Sequence, residues 1–175
     1  MNLQLNGEVA LVTGASRGIG AAIAQRLGRS GATVIGTATS DSGAEGITES
    51  LTGAGITGRG MRLDVRDADQ IPALVADIAG AEGTPSILVN NAGITRDNLA
   101  MRMGDDDWDS VIETNLNAVF RVSRAVLRGM MKARHGRIIN IGSVVGLMGN
   151  AGQTNYSAAK AGLLGLTRSL AREVG

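Results

Sequence analysis

The chain has 175 residues, which is enough for one domain with a hydrophobic core, and we expect residues 1–175 to form a single domain. Its 17 basic and 16 acidic side chains nearly cancel, so the net charge of +1 provides no field that would hold nucleic acid or an anionic membrane. The lack of cysteine excludes disulfides and thiolate metal sites. The only histidine, His135, is far in sequence from any metal-like partner, so no metal site is assigned.

From Val9 onwards, short apolar runs alternate with stretches of helical periodicity. The predicted strands are 9–12, 33–37, 61–64, 87–89 and 137–141, and the predicted helices are 19–29, 42–51, 69–79, 105–133 and 156–174. This alternation predicts an α/β fold with a parallel sheet covered by helices on both faces. No signal peptide is expected before the first strand and no apolar run could span a bilayer, so the expected location is cytoplasmic.

The glycine-rich segment Thr13–Gly20, TGASRGIG, lies between the first strand and the first helix, and we call it the phosphate loop. Its glycines at 14, 18 and 20 would allow a tight turn and a close approach of a pyrophosphate. The start of the helix would then present free N–H groups and a positive dipole end to the phosphates. The alternative is that the segment is only a structural turn.

The end of the second strand bears on the choice of cofactor. An acidic residue there would bind the ribose hydroxyls of NAD and repel a 2′-phosphate. The segment Thr37–Ser40 has no acid before Asp41, and Arg17 places a cation in the phosphate loop. These residues favour NADP(H). In the alternative reading, Arg17 is a solvated loop charge or Asp41 turns back towards the ribose.

Two predicted elements carry side chains suited to the reduction of a carbonyl. Tyr156 and Lys160 lie one helical turn apart, and a nearby cation stabilises a phenolate, so Tyr156 could pass a proton to a developing alkoxide. Ser143 follows the fifth strand and could hold the carbonyl oxygen, although it could equally cap a turn. Asn115 lies inside the long helix, where it either holds an irregularity or a water that contacts Lys160, or simply faces solvent.

In this order, the phosphate loop, the segment Asn90–Gly93, Asn115, Ser143 and the Tyr156-x-x-x-Lys160 pair resemble the classical short-chain dehydrogenase/reductase family. The resemblance implies a Rossmann doubly wound parallel sheet of strand order 3-2-1-4-5, with the usual sixth and seventh strands absent from this chain. Residues 1–175 would then be a single NADP-binding Rossmann domain, C-terminally incomplete relative to the family. The implied cofactor-binding residues are Gly14, Ala15, Ser16, Arg17, Gly18, Ile19, Gly20, Thr39, Asp64, Val65, Asn91, Ala92, Gly93, Tyr156 and Lys160.

Within that family, residues 90–103 and 137–165 are similar to bacterial 3-oxoacyl-[acyl-carrier-protein] reductases. This similarity implies NADPH-dependent reduction of the 3-ketone in fatty-acid biosynthesis, an acyl carrier protein as partner, and a homo-oligomer, which is a homotetramer in complete family members. The implied catalytic residues are Asn115, Ser143, Tyr156 and Lys160, and the implied substrate-binding residues are Ser143, Gln153 and Tyr156.

Two other functions are compatible with these motifs: reduction of a different ketone, and binding of NADP by a catalytically incomplete fragment. A basic cluster beyond the long helix also has two interpretations. It could receive the acidic carrier protein, or it could solvate the helix end and complement the helix dipole, which we favour. The cluster consists of Lys132, Arg134, His135 and Arg137.

Overall fold

The computed structural model describes residues 4–175. Five strands alternate with helices, as the hydrophobic periodicity predicts. The strands are β1 (Val9–Val12), β2 (Thr33–Ala38), β3 (Gly58–Arg62), β4 (Ile87–Asn90) and β5 (Arg137–Asn140). The helices are α1 (Gly18–Arg29), α2 (Asp41–Gly53), α3 (Gln70–Ala81), α4 (Asp105–Ile112), α5 (Ala118–Ala133), α6 (Val145–Met148) and α7 (Thr154–Val174). A 3₁₀ turn spans Ala100–Arg102, and a π-helical turn, Glu113–Asn117, joins α4 to α5.

All five strands are parallel and lie in the order β3-β2-β1-β4-β5, which confirms the expected Rossmann-like α/β fold. Because the strands run in one direction, their carboxyl ends meet at one edge of the sheet. Strands β2 and β3 extend the sheet on one side of β1, and β4 and β5 extend it on the other, so the switch point lies between β1 and β4. Open α/β sheets bind ligands in the crevice at such a switch point.

The hydrophobic core lies on both faces of the sheet, which explains why all four residues of β1 are buried. Leu11 packs in a cluster with the apolar faces of α3 and α5, including Ile78 and Val126. Ala10 and Val12 point to the other face, where the cluster includes residues of α1 and α2 such as Ala24 and Ile47. The alternation of strand side chains thus divides the core into two layers.

Several predicted boundaries need correction by two or three residues, including the end of the third strand, which lies at Arg62 and not at the predicted Asp64. The third strand begins at Gly58, three residues before the predicted start at Met61, because it is an edge strand whose first residues pair through backbone with β2 and carry no apolar pattern. A Cβ on Gly60 would overlap with the carbonyl oxygen of Ala44, so this glycine lets α2 lie directly against the strand. The last helix begins at Thr154, two residues before the predicted Tyr156.

The long predicted helix 105–133 is interrupted by the π-helical turn at Glu113–Asn117, which contains Asn115. Such turns insert one extra residue into the helical repeat and are frequent at functional sites. The short helix α6 was not predicted. Within residues 4–175, no helix has both the length and the apolar character needed to cross a membrane.

Candidate active site

The predicted functional segments meet at the carboxyl edge of the sheet. All except Asn115 and the Tyr156–Lys160 pair follow the end of a strand, so the parallel topology places them side by side. The phosphate loop follows β1, Thr39 follows β2, Asp64 comes shortly after β3, Asn91 follows β4, and Ser143 comes shortly after β5.

The phosphate loop is held by four hydrogen bonds that the segment after β4 donates to it. The side-chain amide of Asn91 donates to the carbonyl oxygens of Thr13 and Gly14, each at 3.0 Å. The buried Thr13 hydroxyl accepts the N–H groups of Asn91 at 3.0 Å and Ala92 at 3.1 Å. The sequence had indicated only that the Asn91 backbone lines the nucleotide site. Its side chain also fixes the shape of the loop.

The loop has the shape and free donors that a pyrophosphate needs. Gly14 and Gly18 have φ of 66° and 59°, and a Cβ on Gly20 would overlap with the Gly14 carbonyl oxygen. The residue that precedes α1, Arg17, makes no side-chain hydrogen bond to the start of the helix, so the first N–H groups are left for another acceptor. Ser16 to Ile19 are exposed on the outer side of the loop. The residues present therefore fit a nucleotide diphosphate.

At the end of β2, the nearest acid is already engaged. The Asp41 carboxylate lies 3.3 Å from Arg62, which is the register partner of Ala38 on β3. Both side chains are largely exposed, so this pair is weak, and in the structure the Asp41 carboxylate is directed towards β3. Thr39 is exposed, and Ser40 accepts the N–H of Gly43 as the N-cap of α2.

Asp64 and Val65 follow β3, where the family resemblance places the adenine. The Asp64 carboxylate accepts two hydrogen bonds from the Arg66 guanidinium, of 2.6 Å from Nη2 and 3.0 Å from Nε. The guanidinium holds the pKa of the Asp64 carboxyl below its ordinary value, so this acceptor stays ionised. Val65 is buried beside it.

Tyr156 and Lys160 lie on the first two turns of α7. The Lys160 Nζ is 5.7 Å from the centre of the Tyr156 ring and donates to the Ile141 carbonyl oxygen at 2.7 Å. Only 6% of Lys160 is exposed, and burial lowers the pKa of its ammonium group. The structure therefore brings together the phenol and the amine that the spacing had paired. It also connects the amine to the end of β5.

Ser143 is half-buried, whereas Asn115 is fully buried. The Ser143 hydroxyl oxygen accepts the Val145 N–H at 3.2 Å, so it does cap the turn that leads into α6, while its proton is left for another acceptor. Asn115 is fully buried, which rules out the solvent-facing alternative, and it donates to the carbonyl oxygens of Ile94 and Val111 at 2.9 Å. It lies in the π-helical turn, which agrees with the helix irregularity that the sequence offered as one of its possible roles.

The side-chain oxygen of Asn115 is buried beside the backbone of Gly93. Within residues 4–175, its Oδ1 is the buried side-chain polar atom that has no hydrogen-bond partner. A Cβ on Gly93 would lie 2.5 Å from this oxygen, so the glycine is what lets the buried amide oxygen lie this close to the backbone. The amide lies against the Gly93–Ile94 backbone, and the water relay to Lys160 stays a prediction.

Two further residues complete the surroundings of Tyr156. The Gln153 side-chain amide donates to the Asp97 carboxylate at 2.9 Å, a partner that the sequence did not indicate. Asn155 is fully buried immediately before the tyrosine and was not singled out from the sequence. An asparagine at a helix start is usually an exposed cap, so only its burial distinguishes it.

The basic cluster beyond α5 lies at the amino edge of the sheet, opposite the phosphate loop, because β5 begins at Arg137. His135 Nε2 lies 3.0 Å from the Glu8 carboxylate oxygens, and Arg134 ends α5 in a left-handed conformation. These contacts agree with the interpretation that the cluster lies at the end of a helix and complements its dipole. Across residues 4–175, no three His, Cys, Asp or Glu residues are grouped as metal ligands would be.

Comparison with known proteins agrees with this arrangement. A family model described as short chain dehydrogenase matches residues 8–175. A 3-oxoacyl-[acyl-carrier-protein] reductase of Pseudomonas aeruginosa is 66% identical over 173 residues, which cover 99% of this chain and 70% of that protein. Proteins of the same name from Vibrio harveyi and Escherichia coli K12 are 62% and 60% identical over 172 residues, and each match covers 98% of this chain and 69% of the relative. The chain therefore belongs to the short chain dehydrogenase family.

Proposed function

We propose that the chain is an oxidoreductase that converts 3-oxoacyl-[acyl-carrier-protein] into 3-hydroxyacyl-[acyl-carrier-protein] in fatty-acid biosynthesis, with NADPH as the reductant. The observation that carries the proposal is the position of Tyr156 and Lys160 at the carboxyl edge of the sheet, beside the ends of β4 and β5. The relatives that carry this name are 60–66% identical to the chain, and the match spans the phosphate loop and this pair.

In this proposal the phosphate loop and the segment after β4 bind the nucleotide. The pyrophosphate lies at the start of α1, Asp64 and Val65 hold the adenine, and Thr39 with Arg17 contacts the 2′-phosphate. The Asp41–Arg62 pair supports the choice of NADPH, because the acid nearest to the 2′-phosphate position is directed towards β3. Residues 1–175 then act as one NADP-binding domain.

Tyr156 acts as the general acid that protonates the C3 oxygen, and Ser143 orients that oxygen through its hydroxyl proton. Lys160 stabilises the phenolate that forms and binds the nicotinamide ribose, and its bond to the Ile141 carbonyl oxygen fixes the ammonium beneath the ring. Bound NADPH supplies the hydride to C3. Asn115 holds the backbone at Ile94 and completes the proposed catalytic set. Gln153, whose amide is bonded to Asp97, is the proposed residue on the substrate side.

The experiment that tests this function follows the oxidation of NADPH with acetoacetyl-[acyl-carrier-protein], with an acetoacetyl thioester of a small thiol, and with a panel of ketones that are not thioesters. Fastest turnover of the carrier-protein substrate is expected. Preference for another ketone would identify a different reductase of the same family, and nucleotide binding without any turnover would indicate an NADP-binding module.

The location and the assembly of the protein belong to the same proposal. A cytoplasmic homotetramer is expected from the resemblance to the reductases. The exposed Phe120 and Met131 on α5 provide apolar surface that another subunit could cover. Light scattering coupled to gel filtration measures the mass in solution, and a monomer at all concentrations would contradict the assembly.

A further inference from the structure

Two loops run side by side immediately before Tyr156. One is the segment 94–103 after β4, and the other is the segment 149–155, which ends with the first two residues of α7; together we call them the paired loops. Both lie at the carboxyl edge of the sheet. Three hydrogen bonds of 2.9 Å connect them: from Asn98 N to Gly152 O, from Gln153 Nε2 to Asp97 Oδ2, and from Asn155 Nδ2 to Arg96 O.

Asn155 is the buried member of this set, and its side chain is satisfied on both ends. Its Nδ2 donates to the carbonyl oxygens of Arg96 at 2.9 Å and Asp107 at 3.3 Å. Its Oδ1 accepts the backbone N–H of Tyr156 at 2.7 Å. One amide therefore joins the loop after β4, the first turn of α4 and the first turn of α7.

The bond to Tyr156 has a specific structural reason. The first N–H groups of a helix have no carbonyl partner within the helix, and α7 begins at Thr154, so the Tyr156 N–H needs another acceptor. Asn155 supplies that acceptor from its own side chain. Because the same side chain is bonded to Arg96, the tyrosine backbone is fixed relative to the loop that crosses the substrate side of the site.

We propose that Asn155 is a positioning residue for the reduction, which holds the Tyr156 phenol at a set place relative to the paired loops. This inference rests on the proposed function, in which Tyr156 delivers the proton. Asn155 touches neither the phenol oxygen nor the proposed nucleotide site, so its effect passes through the backbone of Tyr156 and the carbonyl of Arg96. A displacement of about 1 Å at a reacting group can cost on the order of 100-fold in rate.

A purely structural role for Asn155 makes a different prediction. In that case its loss would lower stability in the same way as the loss of any buried hydrogen bond. Ser86 offers the matched control, because its hydroxyl bonds the Glu8 carboxylate and accepts the Val9 N–H at 3.1 Å at the opposite edge of the sheet. Ser86→Ala is expected to lower stability and leave the chemistry unchanged.

The kinetic test compares Asn155→Ala and Asn155→Asp with the parent and with Ser86→Ala, well below their unfolding temperatures. For Asn155→Ala, kcat is expected to fall on the order of 100-fold while the Kd for NADPH stays near the parent value. Asn155→Asp keeps the acceptor for the Tyr156 N–H but turns a carboxylate towards two carbonyl oxygens. Its rate relative to the parent should therefore rise towards acid pH, where a protonated carboxyl regains one donor.

The second test does not depend on turnover. Amide hydrogen exchange is measured at Asn98 and Tyr156, and at Val9 as the remote site. Faster exchange at Asn98 and Tyr156 in Asn155→Ala, with Val9 unchanged, supports the inference, and Ser86→Ala should give the reverse pattern.

Unchanged exchange at Asn98 and Tyr156, or an equal loss of kcat in Ser86→Ala, would overturn the positioning role. If the parent reduces no 3-oxoacyl thioester, the proposed function fails, and the exchange data still decide whether Asn155 holds the paired loops.

Discussion

The side-chain amide of Asn91 donates to the carbonyl oxygen of Gly14 at 3.0 Å, so the segment after β4 holds the phosphate loop in shape. Gly20 lies against this contact, and a Cβ there would overlap with both the Gly14 oxygen and the Asn91 nitrogen. Gly20→Ala is therefore expected to push the loop away from β4 and to abolish measurable NADPH binding. Titration of NADPH fluorescence with the purified variant checks this outcome.

The control for that change is Gly46→Ala on α2. Gly46 is also helical, but a Cβ there would meet no atom within 4 Å. Alanine in a helix interior is more favourable than glycine by roughly 0.5–1 kcal/mol, so this variant should unfold at a higher temperature and bind NADPH normally. Equal nucleotide binding by both alanine variants would show that the Gly20 contact does not shape the loop.

Arg17→Ala is expected to weaken the binding of NADPH more than that of NADH. Arg17 is exposed in the phosphate loop, and a charge-assisted contact with the 2′-phosphate is worth roughly 1.5–3 kcal/mol. Isothermal titration with both nucleotides measures the difference. Arg26→Ala, at the far end of the same helix, is the matched control and should affect neither. Equal losses for NADPH and NADH would exclude a contact of Arg17 with the 2′-phosphate.

Much of this fold is predictable because local patterns and global packing agree. The buried strands β1 and β4 are continuous apolar runs with a glycine or asparagine turn after them, and both were predicted to within one residue. The phosphate loop and the Tyr156–Lys160 pair are local in sequence, so their spacing alone predicts their geometry. A helix irregularity at Asn115 was one of the alternatives that the sequence offered, although the stretch 105–133 was predicted as one helix.

The features that could not be predicted depend on contacts between distant segments. The start of β3 is set by backbone pairing with Val34 and not by an apolar pattern. Asn91 was expected to bind the cofactor through its backbone, and Asn155 was not singled out. The side-chain contacts of both depend on carbonyl oxygens that lie 77 and 59 residues away along the chain. Such partners become visible only once the strands have placed the loops at one edge.

The Glu8 carboxylate, at the amino edge of the sheet, is expected to make the free energy of unfolding depend on pH. Hydrogen bonding from Ser86, together with His135 and Arg137, holds the pKa of the Glu8 carboxyl below its ordinary value. A lowered folded-state pKa means that the ionised carboxylate stabilises the fold above the unfolded value of about 4.3, and that this contribution is lost as pH falls through the folded pKa. Glu8→Gln should therefore lower the free energy of unfolding at neutral pH by about 1 kcal/mol.

The measurement is urea denaturation of the parent and of Glu8→Gln over a series of pH values that extends below about pH 4. The difference between them should be largest at neutral pH and should shrink in acid. Glu45→Gln, at an exposed position on α2, is the control and should show no such trend. A difference that stays constant down to the acid end of the series would contradict the assigned role of the carboxylate.

Tyr156→Phe is expected to remove ketone reduction and leave nucleotide binding intact. Phenylalanine keeps the ring above Lys160, whose ammonium lies 5.7 Å from the ring centre, so only the proton donor is lost. Removal of a general acid lowers turnover by at least about 100-fold. Turnover of acetoacetyl-[acyl-carrier-protein] and the Kd for NADPH are measured side by side, with Ser169→Ala on the same helix as a control that removes a remote hydroxyl. Because Tyr156 is the only tyrosine in the chain, no second phenol can replace it, and near-normal turnover by a folded Tyr156→Phe protein would refute the proton-donor role.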